Sequence, residues 1–301
     1  MKALYDVCAP AKLNLFLHIT GRRTDGYHLL QSVFMLVDWC DTLHFELRTD
    51  GLISREDLGM ALPVDDLIIR AARALQAAGG TNLGAHVGVQ KQIPAQAGMG
   101  GGSSDAASTL LALNRLWNLN LPLGALVTIG LTLGADVPFF LYGRNAWVEG
   151  IGEKVTPVAL PEARFVVAKP PDGLETARIF SHPDLKRDTA TAIISGFAAN
   201  LNTNVFEYGR NDLQSVAQAL SPGVTQALDW LKSLGLIGRM TGSGSAVFAH
   251  VPADYCLSHD HGHGFDPDLK SAPSAFQVRL CRNLDVHPLA GWAPSDEKFI
   301  G

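Results

Sequence analysis

Apolar and polar residues alternate near the start of the chain. Leucines occupy every second position in the middle of the segment 12–19, namely Leu13, Leu15 and Leu17. Two further β-rich runs cover residues 33–37 and 43–47. A period of two places successive side chains on opposite faces of a strand. The chain is therefore predicted to begin with a β-sheet.

Apolar residues then recur at spacings of three and four, which are typical of helices. A first helix is predicted through residues 67–75, with Asp65 or Asp66 as its N-cap and the glycines at 79–80 as its end. The segment 85–90 returns to a strand pattern.

Two more helices are predicted over residues 106–117 and 123–133. The stretch 134–140 ends the second of them. Because Pro138 cannot continue that helix, an apolar strand is predicted after it.

The second half of the chain mixes both patterns. Strands are predicted at 165–168, 238–241 and 246–250, and helical patterns at 174–180, 212–219 and 223–234. Such a mixture favours an α+β fold, with mixed, mainly antiparallel sheets and helices, over a doubly wound sheet.

The pattern weakens between residues 157 and 161. With 301 residues, the chain is long enough for two moderate domains. We therefore expect an N-terminal domain over 1–160 and a C-terminal domain over 161–301.

Composition is ordinary for a globular protein, with 47% hydrophobic and 18% charged residues and a net charge of −5. This charge provides no reason to expect nucleic acid or an anionic membrane as partner. No apolar run approaches the roughly 20 residues that span a bilayer, and the N-terminus lacks a signal-peptide core, so a cytoplasmic protein is expected. The sequence says nothing of oligomeric state. Free or buried thiols are expected for the scattered cysteines Cys8, Cys40, Cys256 and Cys281.

A glycine-rich segment carries the clearest chemical signal. It follows a predicted strand, opens a predicted helix and reads Gly98, Met99, Gly100, Gly101, Gly102, Ser103, Ser104. Glycines allow oxygens to approach backbone N–H groups, and the helix start adds free N–H donors, so an anion-binding turn for a nucleotide triphosphate is favoured over a plain flexible turn. The chain has no Gly-Lys dipeptide for a Walker A loop, and Ser103 breaks the Rossmann spacing.

Two charged residues interrupt apolar runs elsewhere. Lys12 lies in a strand-like segment, and Asp136 is flanked by apolar residues. A buried ammonium needs an anionic partner, and a carboxylate in such a setting is suited to act as a base. The two could form a catalytic pair for phosphoryl transfer, or Lys12 could belong to a structural ion pair and Asp136 to a turn.

Together, the segments 10–15, 25–28, 98–104 and 133–138 resemble the GHMP small-molecule kinases. The match is strongest to members whose substrate carries a cytidine diphosphate group. The resemblance implies a two-domain enzyme that transfers the γ-phosphate of ATP, with Mg²⁺, to the 2-hydroxyl of a methylerythritol moiety in the non-mevalonate isoprenoid pathway.

The resemblance also implies residue roles. Asp136 would take the hydroxyl proton, and Lys12 would keep Asp136 ionised and orient the hydroxyl. Asp66 stands near the adenine site, where an asparagine is usual. The ATP phosphate loop would comprise Pro94, Ala95, Gln96, Ala97, Gly98, Met99, Gly100, Gly101, Gly102, Ser103 and Ser104. Substrate would contact Asn14, Tyr27, His28, Thr176 and Phe180.

Two features depart from the resemblance. Gln96 adds a side chain where glycine is usual, and the polar segment 254–273 replaces a helix. Its histidines, His259, His261 and His263, are interpreted as part of a solvated loop in preference to a metal site. The turn 242–244 matches a third motif that packs against the active site, or is a simple hairpin turn.

Three alternative functions would require other sets of residues. A homoserine or mevalonate type of kinase would share the glycine loop but would not require Tyr27 and His28. A non-catalytic nucleotide-binding protein would not require both Lys12 and Asp136. A serine hydrolase lacks support because the Gly-x-Ser-x-Gly turn is absent.

Overall fold

The computed structural model describes residues 1–199, 205–255 and 268–296. Its strands are β1 (Ala3–Arg22), β2 (His28–Arg48), β3 (Ile53–Asp57), β4 (Gly84–Gln90), β5 (Ala146–Gly150), β6 (Lys154–Pro157), β7 (Arg164–Lys169), β8 (Gly238–Met240), β9 (Val247–Val251) and β10 (Gln277–Leu284). Its helices are α1 (Leu67–Gly79), α2 (Gly101–Leu116), α3 (Leu123–Leu133), α4 (Val137–Tyr142), α5 (Thr176–Ser181), α6 (Ile194–Ala198), α7 (Gln214–Leu220) and α8 (Pro222–Ser233).

The strands form a continuous sheet in the order β3-β4-β2-β10-β7-β9-β8, with β1 and β5 also paired to β2. Strand β2 is long enough to pair with β1, β4, β5 and β10 along its length. Only β3 and β4 run parallel among the described pairs. The α+β class with mainly antiparallel strands is therefore confirmed.

The described residues form three apolar clusters, two of which pack helices against the sheet. The first packs α1, α2 and α4 against β2 and β4, and the second packs α7 and α8 against β7 and β9. The far end of β1 contributes Leu17 and Ile19 to the second cluster. The first strand thus links both halves, and the division at residue 160 remains a prediction. None of the described helices is both long and apolar enough to cross a bilayer.

The predicted start and end of the first helix agree with the structure. The Asp66 carboxylate caps α1 by accepting a hydrogen bond of 3.1 Å from the backbone N–H of Ile69. Gly80 ends the helix with a φ of +58°, a conformation that favours glycine.

The prediction that the stretch 134–140 leads directly into a strand is wrong, because the chain first forms helix α4 there. Strand β5 follows only at Ala146–Gly150. Pro138 lies in the first turn of α4, where the missing N–H needs no intrahelical partner and the fixed φ is already helical. The proline therefore prevents α3 from continuing but allows a new helix to begin.

The expectation of free thiols is wrong for one pair. Cys8 and Cys40 lie on adjacent strands with their Cα atoms 5.8 Å apart, and they form a disulfide. The antiparallel pairing of β1 and β2 brings them together, which their spacing of 32 residues does not indicate. Cys281 is free and buried, and burial raises the pKa of its thiol to about 12. Cys256 lies outside the described residues. So do His259, His261 and His263, which were interpreted as part of a solvated loop.

Candidate active site

A cavity of about 1470 Å³ brings together most of the residues singled out from the sequence. Among its lining residues are Lys12, Asn14, Tyr27, His28, Asp66, Pro94, Ala95, Gln96, Ala97, Gly98, Met99, Gly100, Gly101, Gly102, Ser103, Asp136, Thr176 and Phe180. Ser104 does not line the cavity. Its hydroxyl is fully buried and has no hydrogen-bond partner among the described residues.

The glycine loop requires glycine at specific positions. Gly98 and Gly100 have φ values of +73° and +72°, which L side chains rarely adopt. A Cβ at Gly98 would collide with the carbonyl oxygen of Thr241, and one at Gly100 would lie 3.0 Å from the Phe140 ring. Helix α2 begins at Gly101, so its first free N–H groups face the same space.

The turn at residues 242–244, called the second glycine turn, and the residues that follow it pack against this loop. The backbone N–H groups of Ser245 and Ala246 donate to the carbonyls of Gln96 and Ala97, at 3.0 and 3.2 Å. Gln96 has a φ of +51°, and its side-chain amide lies against Gly173. The extra side chain therefore points towards the second half of the chain and not along the loop backbone.

Lys12 and Asp136 meet beside the glycine loop. The Lys12 Nζ lies 3.6 Å from Asp136 Oδ2; the Lys12 side chain is 4% exposed and that of Asp136 is 31% exposed. Burial lowers the pKa of the Lys12 ammonium, and the Asp136 carboxylate opposes that shift. Lys12 lies on strand β1, and the backbone N–H of Lys12 donates to the carbonyl of Met99 at 2.9 Å.

Asn14 holds the lysine. Its Oδ1 accepts a hydrogen bond from Lys12 Nζ, and its Nδ2 donates to the hydroxyl of Ser32 at 2.9 Å. The backbone N–H of Asn14 donates to the hydroxyl of Thr241, also at 2.9 Å. The side-chain amide is thus committed within the protein, so Asn14 orients Lys12 even though it also lines the cavity.

A second lysine cluster was not found from the sequence. Lys91 Nζ bonds both Asp41 on β2 and Asp105 on α2. Asp41 Oδ1 also accepts from the backbone N–H of Ile93 at 2.8 Å. The cluster therefore ties the chain just before the glycine loop to the helix just after it. A polar residue at the end of β4 gives no sequence signal for this role.

One end of the cavity is aromatic. Tyr27, in the turn between β1 and β2, is 62% exposed. The ring centroid of His28, the first residue of β2, lies 5.0 Å from that of Phe180 on α5. Thr176 shares a hydrogen bond of 2.8 Å with Ser243 in the second glycine turn. Two halves of the chain thus contribute to this end.

The start of α1 forms another part of the cavity lining. Asp66 lines this part of the cavity. Its carboxylate also caps α1, and its Oδ1 lies 2.7 Å from Arg55 Nη1. Arg55 also donates to the carbonyls of Leu62 and Pro63. Asp66 therefore helps to hold the segment between β3 and α1 at the cavity rim.

Both halves of the chain match models of one protein family. The family model of the GHMP kinases N terminal domain matches residues 66–144, and that of the GHMP kinases C terminal matches residues 189–254. A 4-diphosphocytidyl-2-C-methyl-D-erythritol kinase of Albidiferax ferrireducens (strain ATCC BAA-621 / DSM 15236 / T118) is 71% identical, covering 100% of this chain and 99% of that protein. A protein of the same name from Polaromonas sp. (strain JS666 / ATCC BAA-500) is 65% identical, covering 97% of this chain and 95% of that protein.

Solved structures resemble the model as well. The crystal structure of a 4-(cytidine 5'-diphospho)-2C-methyl-D-erythritol kinase matches with a TM-score of 0.70 and 34% identity, over 80% of this chain and 88% of that one. The mevalonate kinase of Methanococcus jannaschii matches with a TM-score of 0.64, over 94% of this chain and 98% of that one. Its identity of 14% shows a shared fold alone.

Proposed function

The chain belongs to the family of 4-diphosphocytidyl-2-C-methyl-D-erythritol kinases, and we propose that it transfers the γ-phosphate of ATP to the 2-hydroxyl of that alcohol in the non-mevalonate isoprenoid pathway. As a kinase it uses ATP as co-substrate. One observation carries the assignment of roles. The Lys12–Asp136 pair lines the same cavity as the glycine loop and the aromatic residues Tyr27, His28 and Phe180.

The chemistry follows from this arrangement. The substrate hydroxyl oxygen forms a bond to the γ-phosphorus, the bond from that phosphorus to the β-phosphate oxygen breaks, and ADP leaves. Asp136 takes the hydroxyl proton. Lys12 pairs with Asp136 and orients the attacking oxygen, and the hydrogen bond from its ammonium to Asn14 positions it for this role.

The glycine loop would hold the triphosphate. Backbone N–H groups at the start of α2 offer donors and a partial positive charge, and the glycines let phosphate oxygens approach them. The adenine would lie towards Asp66 at the start of α1. This direction points the γ-phosphate at Lys12 and Asp136.

We propose that Mg²⁺ binds to the protein together with ATP, because the phosphates of ATP commonly coordinate this ion. The described part of the chain contains no group of three or more His, Cys, Asp or Glu side chains placed to hold a metal ion.

The aromatic end would receive the cytidine. Tyr27 and Phe180 offer ring faces for stacking, and His28 offers a ring nitrogen to the edge of the base. Because the reaction consumes ATP, we place the enzyme in the cytoplasm.

A turnover assay tests the proposal. Purified protein with ATP, Mg²⁺ and the diphosphocytidyl alcohol should release ADP, and homoserine or mevalonate in its place should not support release. Asp136→Asn should lower kcat on the order of a hundredfold to ten-thousandfold while leaving ATP affinity largely intact. Equal turnover of the three alcohols, or full activity of Asp136→Asn, would contradict the assignment.

A further inference from the structure

Arg187 lies behind the aromatic end of the cavity and connects its two sides. Its Nε donates to Nε2 of His28 at 3.1 Å. Its Nη2 donates to the carbonyls of Phe180 and His182, at 3.1 and 2.8 Å, and its Nη1 to that of Leu185 at 2.9 Å. The guanidinium thus joins the first residue of β2 to the segment that carries Phe180. Sequence patterns did not single it out.

The bond between Arg187 and His28 decides which ring nitrogen carries hydrogen. A guanidinium is a donor only, so Nε2 of His28 must be an unprotonated acceptor. A neutral imidazole carries one hydrogen, which is then on Nδ1. Because Arg187 is not among the residues lining the cavity, it acts on a ligand there only through His28 and Phe180.

The surroundings also keep the ring neutral. Burial lowers the pKa of His28, and the positive charges of Arg187 and Arg22 lower it further. Protonation of His28 would place a second cation against Arg187 and remove the acceptor that Arg187 uses. The geometry and the charges therefore favour the same single state of the ring.

We propose that Arg187 is a positioning residue that fixes His28 in its neutral Nδ1–H form, so that the ring presents a hydrogen-bond donor to the pyrimidine and selects cytosine over uracil. This inference rests on the proposed function, which puts the cytidine at this end of the cavity.

The selectivity follows from the edges of the two bases. Cytosine has neighbouring acceptors at N3 and O2, whereas uracil carries a hydrogen on N3. A ring fixed as an Nδ1–H donor suits the cytosine acceptors and opposes the N3–H group of uracil. A ring free to move its hydrogen to Nε2 could accept from uracil through Nδ1, and the selectivity would shrink.

Nitrogen-15 NMR of the free protein tests the first part. The two ring nitrogens of neutral His28 should show the Nδ1–H pattern, with the signal assigned by its loss in His28→Gln. Arg187→Met removes every donor but keeps an apolar stem, and it should give a mixture of tautomers and a raised His28 pKa. Arg187→Lys keeps the charge without the planar fork, so the tautomer should mix while the pKa rises less. An Nε2–H ring in the unsubstituted protein, or an unchanged tautomer in Arg187→Met, would overturn the inference.

Competition binding tests the second part. Arg187→Met should weaken cytidine diphosphate binding about tenfold and reduce its preference over uridine diphosphate by a similar factor. In turnover, the KM for the diphosphocytidyl alcohol should rise, while kcat and the KM for ATP change little. A loss of kcat with unchanged selectivity would indicate a structural role alone and contradict the proposal.

Two controls separate the possible failures. Arg178→Met removes an exposed arginine from α5, the same helix that carries Phe180, and should alter neither the His28 spectrum nor binding. Tyr27→Ala leaves Arg187 and His28 in place but removes a ring face. If Tyr27→Ala binds cytidine diphosphate normally while His28 shows the Nδ1–H form, the cytidine site is misplaced but the action of Arg187 on the ring stands.

Discussion

Two buried lysines lie beside the glycine loop, and their partners differ. Lys12 faces a single carboxylate at 3.6 Å, and that carboxylate is 31% exposed to the cavity. Lys91 bonds two carboxylates, Asp41 and Asp105, whose side chains are 0% and 3% exposed. Both lysines line the cavity. Lys12 is loosely paired with a carboxylate that is exposed there, whereas Lys91 is bonded to two buried carboxylates.

The charge balance of the two clusters differs in the same sense. At Lys12 burial lowers the pKa, and one carboxylate only opposes that shift. At Lys91 burial acts in the same direction, but Asp105 and Asp41 together raise the pKa. A cation paired with one exposed carboxylate can act on a substrate, whereas one whose charge is offset by two buried carboxylates holds the structure together.

Removing each ammonium in turn is the strongest test of the different roles of Lys12 and Lys91. Lys12→Met should lower kcat on the order of a hundredfold to ten-thousandfold, because Asp136 loses its orienting partner. The free energy of unfolding should change much less, since Asp136 can be solvated from the cavity. Turnover and urea denaturation measure the two quantities. A protein that unfolds readily but retains its turnover would reverse the roles assigned to the two lysines.

Lys91→Met should show the opposite balance. It leaves two buried carboxylates without their cation, so the free energy of unfolding should fall by about 3–5 kcal/mol. Lys91→Arg serves as the control, because it keeps the charge and should retain part of the stability. A denaturation midpoint equal to that of the unsubstituted protein would show that Lys91 does not clamp the loop.

The sequence supports prediction of one cluster but not of the other, for a physical reason. Lys12 and Asp136 each interrupt an apolar run, and a charge in such a run demands a partner. Lys91 directly follows β4 among polar residues, and Asp41 lies 50 residues away on β2. The pairing of β2 with β4 decides whether they meet, and local patterns do not contain that pairing.

The same limit applies to the fold. Long runs with clear periods, such as β1, α1 and α2, could be predicted because local patterning and burial agree. Strands β3, β6 and β10 were missed. β10 is largely half-exposed and carries arginines, so only its pairing with β7 and β2 defines it as a strand.

A substitution in the glycine loop tests whether the loop beside Lys12 binds the nucleotide. Gly98→Ala forces a side chain into a positive φ and against the carbonyl of Thr241, whose hydroxyl holds the backbone of Asn14. We expect kcat/KM for ATP to fall about tenfold to a hundredfold, with about 1–3 kcal/mol of lost stability. Gly80→Ala is the matched control. It also has a positive φ but an open surrounding, so activity should persist.

The Lys91 cluster should reveal itself through pH. The pKa of Asp105 is raised to about 7, first by burial and also by Asp41, against the pull of Lys91. A carboxyl whose pKa rises on folding binds more protons in the folded state, so its contribution to stability falls as pH rises from about 4 to about 7. Asp105→Asn removes this titration. The free energy of unfolding of the variant, relative to the unsubstituted protein, should rise by on the order of 1–2 kcal/mol between pH 5 and 8. A pH-independent difference would exclude this titration.

The smallest expected effect separates two adjacent hydroxyls at the start of α2. Ser103 lines the cavity, whereas the Ser104 hydroxyl is buried without a partner among the described residues. Neither caps the helix, because Gly100 takes that position without a side-chain bond. If phosphates lie along the loop, Ser103→Ala should lower kcat/KM for ATP about twofold to tenfold. Ser104→Ala should leave it unchanged and keep or slightly raise the stability, because it removes an unpaired polar group. Equal losses from both would mean that α2 presents another face to the nucleotide, and the proposed direction of the triphosphate from Asp66 to Lys12 would then be wrong.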